Sequence, residues 1–261
     1  MKTNFRRTLF ALAALCTCAG AAHAATENYL LAVSWQPEFC ETKPSKLECQ
    51  TATPTRFDAS HFTLHGLWPQ SGSYCGVSKT NKSYDTSNRW NKLPAVSLNS
   101  STRADLQQKM PGTQSYLERH EWIKHGTCSG LSQQTYFSDA LSLLAGLNAG
   151  SLQSLVAANV GGSTTLDDLY NAVTSDLGPD AETAVEFICD SGSAGQMLAE
   201  IRFHLHLPSP LPSLILPQHL VDPLNPASAS QLCDAGEVFI DAAGSSSSLR
   251  AARTIAPAAP R

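Results

Sequence analysis

The chain has 261 residues, 42% of them hydrophobic, a formal charge of −4 and eight cysteines. That apolar share supports a core and excludes whole-chain disorder. The acidic balance excludes a protein that coats its partner with positive charge.

At the N-terminus, Lys2, Arg6 and Arg7 precede an apolar stretch from Leu9 to Ala22, closed by Ala22-His23-Ala24. A basic start, a short apolar run and a small-x-small ending read as a secretory signal peptide over residues 1–24. The apolar run is short for a membrane span, although an uncut N-terminal anchor is the alternative. Cleavage after Ala24 removes three basic and no acidic residues, leaving 237 residues with a formal charge of −7. No second stretch has the length of a membrane helix, so the mature form is expected to be free of the membrane and monomeric. Six cysteines stay with it: Cys40, Cys49, Cys75, Cys128, Cys189 and Cys233. An even number in an exported chain points to disulfides, with fifteen connectivities open.

Asn28–Trp35 is aromatic and β-branched, is followed by Pro37, and predicts a strand. A second strand is predicted at Phe62–His65, ended by Gly66 and the Trp68-Pro69 break. Residues 71–101 are rich in Ser, Asn, Gly and Lys and read as a long surface loop. Helices are expected at Ser101–Met110 and at Tyr116–Lys124, the latter stopped by Gly126. A helical region at Phe137–Val160 breaks near Gly146–Gly150. Thr165 opens a helix in a capping-box-like run and Gly178 closes it. Ala184–Cys189 and Ala199–His206 read as strands, the second alternating Ile201, Phe203 and Leu205. Residues 207–226 are Pro-rich and irregular, and Glu237–Ile240 is a last short strand. Residues 244–261 shift to Ser, Ala, Pro and Arg and read as a disordered tail. The economical architecture is one disulfide-bonded α+β domain over residues 25–243, an antiparallel sheet flanked by helices.

The chemistry concentrates in two segments. One runs from His61 to Gln70 and the other from His120 to Cys128. The second invites comparison with the zinc motif H-E-x-x-H, but its histidines are five apart, about 140° around a helix rather than about 40°. What the spacing offers instead is Glu121, Lys124 and His125 on one face, with His120 four before Lys124. An ammonium, a carboxylate and two imidazoles suit an anionic substrate: the cation stabilises phosphate charge and the imidazoles divide acid and base work. A solvated helix face with an ordinary Glu–Lys pair is the other reading of that segment alone.

Together the segments resemble the two active-site signatures of the RNase T2 family of secreted ribonucleases. The family pattern F-T-x-H-G-L-W-P stands here at Phe62–Pro69, and H-E-W-x-K-H-G-T-C at His120–Cys128. The resemblance implies an endoribonuclease acting on single-stranded RNA by transesterification through a 2′,3′-cyclic phosphate. It requires no metal or other cofactor, because the nucleophile belongs to the substrate. By the same resemblance His125 is the general base and His65 the general acid. His120 and Lys124 hold phosphate, Glu121 tunes the site with Lys124, and Trp68 and Tyr74 line the base pocket. Gln70 stands where adenine-preferring relatives carry an acidic residue, so that preference is not carried over and broad base tolerance is expected. Ile123 stands where relatives often carry Glu. The implied disulfides are Cys75–Cys128, Cys189–Cys233 and Cys40–Cys49. An exported location, periplasmic or secreted, follows from the leader. Two other classes compete: a catalytically silent RNA-binding relative, which would lack a catalytic histidine, and a zinc hydrolase, which would purify with metal.

Overall fold

The computed structural model describes residues 26–192 and 195–244. The leader expectation lies outside the described residues, as does the tail expectation beyond Gly244. In chain order come β1 (Thr26–Ser34), α1 (Gln36–Thr42), α2 (Leu47–Gln50), β2 (Thr63–Pro69), α3 (Lys79–Thr86), α4 (Ser100–Lys109) and α5 (Leu117–Lys124). They are followed by α6 (Gln133–Leu147), α7 (Ser151–Ala158), β3 (Ser163–Thr165), α8 (Leu166–Leu177), α9 (Ala181–Ala184), β4 (Val185–Gly192), β5 (Gly195–Pro208) and β6 (Glu237–Phe239).

The strands form one sheet in the order β2-β1-β5-β6-β3, with β4 also paired to β5. Pairing is antiparallel except between β5 and β6, a parallel contact the sequence reading does not contain. Side chains alternate along a strand, so the register sorts them onto two faces. One face carries Leu31 and Val33 of β1, Leu64 and Leu67 of β2, and Ile201, Phe203 and Leu205 of β5, all buried. Phe137, Leu143 and Leu144 of α6, Val156 of α7 and Leu169 and Val173 of α8 join the same core. At about 1.5–3 kcal/mol per fully buried aliphatic side chain, this layer is the main favourable term of the fold. The opposite face carries Ala32 and Ser34 of β1 together with Glu200 and Arg202 of β5. That polar face builds the site.

Several local expectations meet their mechanism. Thr165 caps α8 by accepting from the Asp168 N–H, and Gly178 ends it at φ 84°, where only glycine is unstrained. The predicted break in β2 does not occur, since Gly66, Leu67 and Trp68 pair with Ala32, Leu31 and Leu30. The loop read over residues 71–101 contains α3, started by the Ser78 side chain accepting from the Asn81 N–H. The disulfides are Cys40–Cys49, Cys75–Cys128 and Cys189–Cys233. Among the described residues no single helix is long and apolar enough to cross a membrane.

Candidate active site

A bulge in β2 positions the first histidine. The pairing passes from Val33–Leu64 to Ala32–Gly66, which leaves His65 as an extra residue with no partner on β1. Bulges of this kind re-aim one side chain without ending the strand. Regular alternation would send residues three apart to opposite faces. Here the extra residue brings His65 and Trp68 together, ring centroids 5.2 Å apart.

His65 Nδ1 lies 2.5 Å from Glu200 Oε2, reached across β1. The reach is possible because β1 places the small side chains of Ala32 and Ser34 opposite Arg202 and Glu200. A second bulge, leaving Ala199 unpaired between the Ile188–Glu200 and Cys189–Leu198 pairs, immediately precedes Glu200. Arg202 Nε donates to the other oxygen of Glu200 at 2.7 Å.

The second segment comes from α5 and its end. Glu121 is fully buried. Its Oε2 accepts from Trp68 Nε1 at 2.7 Å. Its Oε1 has no hydrogen-bond partner and sits 3.9 Å from His65 Nε2 and 3.8 Å from His120 Nε2. Gly66 permits this approach, since a β-carbon there would lie 2.0 Å from Glu121 Oε2 and 2.2 Å from Trp68 Nε1. Gly66→Ala is therefore expected to displace Glu121 and Trp68 and lower RNA turnover at least about tenfold, the scale set by misplacing a site by about 1 Å. Wild-type kcat/KM in Gly66→Ala would remove Glu121 and Trp68 from any part in turnover.

His125 leaves the helical wheel. It is the C-cap of α5, with φ −113° and ψ −55°. The separation expected for an unbroken helix does not apply, and the His120 and His125 rings lie 6.2 Å apart. Ligand-type atoms of His120, Glu121 and His125 fall within 4.8 Å of one another. Trp68 stacks on His125 at 5.0 Å and 20°. His120 Nδ1 is held by Asp85 Oδ1 at 2.8 Å, and the other Asp85 oxygen accepts from the Tyr74 hydroxyl at 2.7 Å. Trp90 stacks on the His120 ring at 4.5 Å. Asp85 and Trp90 belong to the stretch read as loop.

The two outer imidazoles are pushed apart in proton affinity. Burial favours the neutral form of His65, but the Glu200 carboxylate, by charge and hydrogen bond, and Glu121 outweigh it and raise the ring to about 8. His125 has no carboxylate within ion-pairing distance among the described residues. Burial first, then the charges of Lys124, His120 and His65, lower it to about 3. Burial also pushes the Glu121 carboxyl above its ordinary range, against the pull of His65, His120, Trp68 and Lys124. At neutral pH one imidazole therefore carries a proton to give and another has room to take one.

The structure thus gathers His65, Trp68, His120, Glu121 and His125, with Lys124 close enough for its charge to act on His125 and Glu121. Tyr74 stands one step away, tied to the cluster through Asp85. His61 does not join it: its ring stacks on Phe57 at 4.4 Å, ahead of β2. His204 is buried against Glu186 at 3.0 Å, His206 bonds Asn28, and His219 closes a turn at Leu216. A cavity of about 420 Å³ opens beside His65, lined in part by Trp90, Lys43, Lys46 and Arg202.

A sheet face and a helix end that together converge three histidines, a buried carboxylate and a lysine define a site for acid–base work on an anion. The Ribonuclease T2 family model matches residues 26–212. Ribonuclease I of Escherichia coli K12 is 29% identical over 202 residues, covering 69% of this chain and 75% of its own. Extracellular ribonuclease LE of Solanum lycopersicum is 30% identical over 189 residues, 68% of this chain and 78% of its own. The crystal structure of human RNase T2 superposes with a TM-score of 0.52 at 21% identity, over 83% of this chain and 98% of that one. The chain belongs to the ribonuclease T2 family. It is a T2-type endoribonuclease, and RNA is its substrate.

Proposed function

We propose that the chain cleaves single-stranded RNA by metal-independent transesterification. The 2′-hydroxyl attacks the adjacent phosphorus, the P–O5′ bond breaks, and a 2′,3′-cyclic phosphate forms that water later opens to a 3′-phosphate. His125 takes the 2′-hydroxyl proton, and His65 gives its Nε2 proton to the departing O5′. His120 and Lys124 hold the phosphate oxygens, supplying positive charge where negative charge develops. Glu121 keeps its unpartnered oxygen between His65 and His120 and tunes both rings by its charge.

The observation that supports this reading best is the opposite displacement of the two imidazoles, His65 up to about 8 and His125 down to about 3. Pairs of titratable groups driven apart in this way mark an acid and a base. Trp68 and Tyr74 are the base-side residues by resemblance to the family. The cavity beside His65 has the size of a nucleoside site and is lined by Trp90, whose ring stacks on His120 and which a base would reach by displacing Lys46 Nζ from over the ring. Broad base tolerance follows, because stacking reads no hydrogen-bonding edge.

Residues 1–24 direct export to the periplasm or medium and are removed. Residues 25–243 form the catalytic domain. The mature enzyme is a monomer without membrane attachment. The tomato relative's name, extracellular ribonuclease LE, favours export.

Product analysis on a defined RNA oligonucleotide tests the mechanism. The expected result is cyclic phosphate accumulating first, undiminished by EDTA, and no cleavage at a 2′-deoxy position. Loss of cleavage in EDTA, or scission of the deoxy linkage, would overturn it.

A further inference from the structure

We infer that Glu200 is a positioning residue for the reaction, and that together with Arg202 it sets the direction in which His65 presents its proton. The inference rests on the reading of His65 as the proton donor. Each ring has two nitrogens, and only one can face the leaving oxygen. Glu200 Oε2 occupies Nδ1 at 2.5 Å, which leaves Nε2 on the side of Glu121 and the other two histidines. When Nε2 gives up its proton and the P–O5′ bond breaks, the proton ends on O5′. The ring is left neutral, with its Nδ1–H still on Glu200. Without the carboxylate, either nitrogen could hold the single remaining proton of the neutral ring.

The site is built for this contact. Both partners sit at bulges, and the strand between them presents the small side chains of Ala32 and Ser34 where it passes Arg202 and Glu200. Glu200 is buried, with 11% of its side chain exposed, whereas the His65 side chain keeps 34%, open toward the cavity. Burial alone would favour a neutral Glu200, yet the charges and hydrogen bonds of His65 and Arg202 hold its carboxyl below the ordinary range. The arrangement is therefore a line of alternating charge: Arg202, Glu200, His65, Glu121.

From α5, Glu121 favours the protonated His65 ring, and the charge of that ring in turn disfavours a proton on His125. From β5, Arg202 opposes protonation. Lys43, Lys46, Glu48 and Asp190 line the cavity that His65 borders, two of each sign.

The test compares Glu200→Gln, which removes the charge at nearly constant shape, with Arg202→Met, which removes the opposing cation. The readouts are the pH profile of kcat/KM on an RNA oligonucleotide and the NMR titration of the His65 ring. In the wild type the alkaline limb is expected near pH 8, where His65 loses its proton. Glu200→Gln is expected to move limb and titration down by about one to two pH units, the usual effect of one adjacent opposite charge. Its deficit is then small near pH 5 and about fivefold to fiftyfold at pH 8. Arg202→Met is expected to move both upward. Uniform loss at every pH in Glu200→Gln, with the His65 titration unmoved, overturns the inference and leaves Glu200 a structural residue. Should Glu200→Gln fail to fold, the direction of the Arg202→Met shift decides, an unmoved limb being the contrary result. The NMR titration needs no turnover, so it reports on Glu200 even if His65 proves not to be the donor.

Discussion

His125→Phe and His65→Phe are each expected to lower kcat by about 10²–10⁴, the usual worth of one general acid or base. RNA binding, measured by anisotropy with an uncleavable 2′-deoxy oligonucleotide, is expected to stay within a few fold. Phenylalanine keeps the ring that stacks on Trp68 at position 125 and the edge contact at position 65, so the packing of the site is retained. The two losses should differ in kind. At neutral pH His125 is already neutral, and its replacement removes an acceptor of protons. His65 is already charged, and its replacement removes both a donor and the counter-ion of Glu200 and Glu121. His65→Phe is therefore the variant expected to cost stability as well, because it takes one cation from two buried carboxylates, leaving Glu200 to Arg202 and Glu121 to His120 and Lys124. Substantial turnover in either variant would sink the assignment of roles.

The second large effect concerns the Cys75–Cys128 bridge. Replacing both cysteines by serine is expected to lower unfolding free energy by about 4 kcal/mol, within the 2–5 typical of native bridges in secreted domains. The bridge spans 53 residues of sequence, whereas Cys40–Cys49 spans nine, so the chain-entropy argument gives the longer loop the larger effect. It also ties together two pieces of the site. Cys75 follows Tyr74, whose N–H bonds the Lys124 carbonyl and whose hydroxyl bonds Asp85. Cys128 closes the turn after His125. Urea unfolding of the double variant beside the Cys40/Cys49 double variant measures the difference. Equal midpoints in the two, at equal slopes, would refute the ranking.

The parts of this fold that announce themselves in sequence are those whose signal is local. Thr165 and Gly178 bound a helix by capping chemistry, and the alternation of Ile201, Phe203 and Leu205 reports a strand with one face in the core. The histidine segments are legible as chemistry. What escapes is non-local. Glu200 lies on the polar side of that same alternation, and nothing in the run of residues tells that β5 lies beside β1 and two strands from His65. Its signal, readable only afterwards, is a charged alternation on a strand covered on both faces. Asp85 escapes because α3 is polar all round, so a Ser-capped helix of Lys, Thr, Asn and Ser looks like loop. The wheel argument for His120 and His125 misleads because it assumes that the helix continues through position 125, whereas that residue ends it.

The extra residue in β2 has a consequence for how the site is written in the chain. Alternation is a matter of parity: each residue added or removed exchanges inside for outside for everything beyond it. Leu64 on one side of His65 and Leu67 on the other both face the core, although three positions apart, because the odd residue between them absorbs the change. Removing any one residue between them would force a choice. Either the leucines keep the core and the imidazole loses its place, or the imidazole keeps its place and a leucine turns to water. The catalytic geometry is thus carried by the count of residues in this strand as much as by their identity, and a deletion that spares every named side chain should still be silent in folding assays or in activity assays, but not in both.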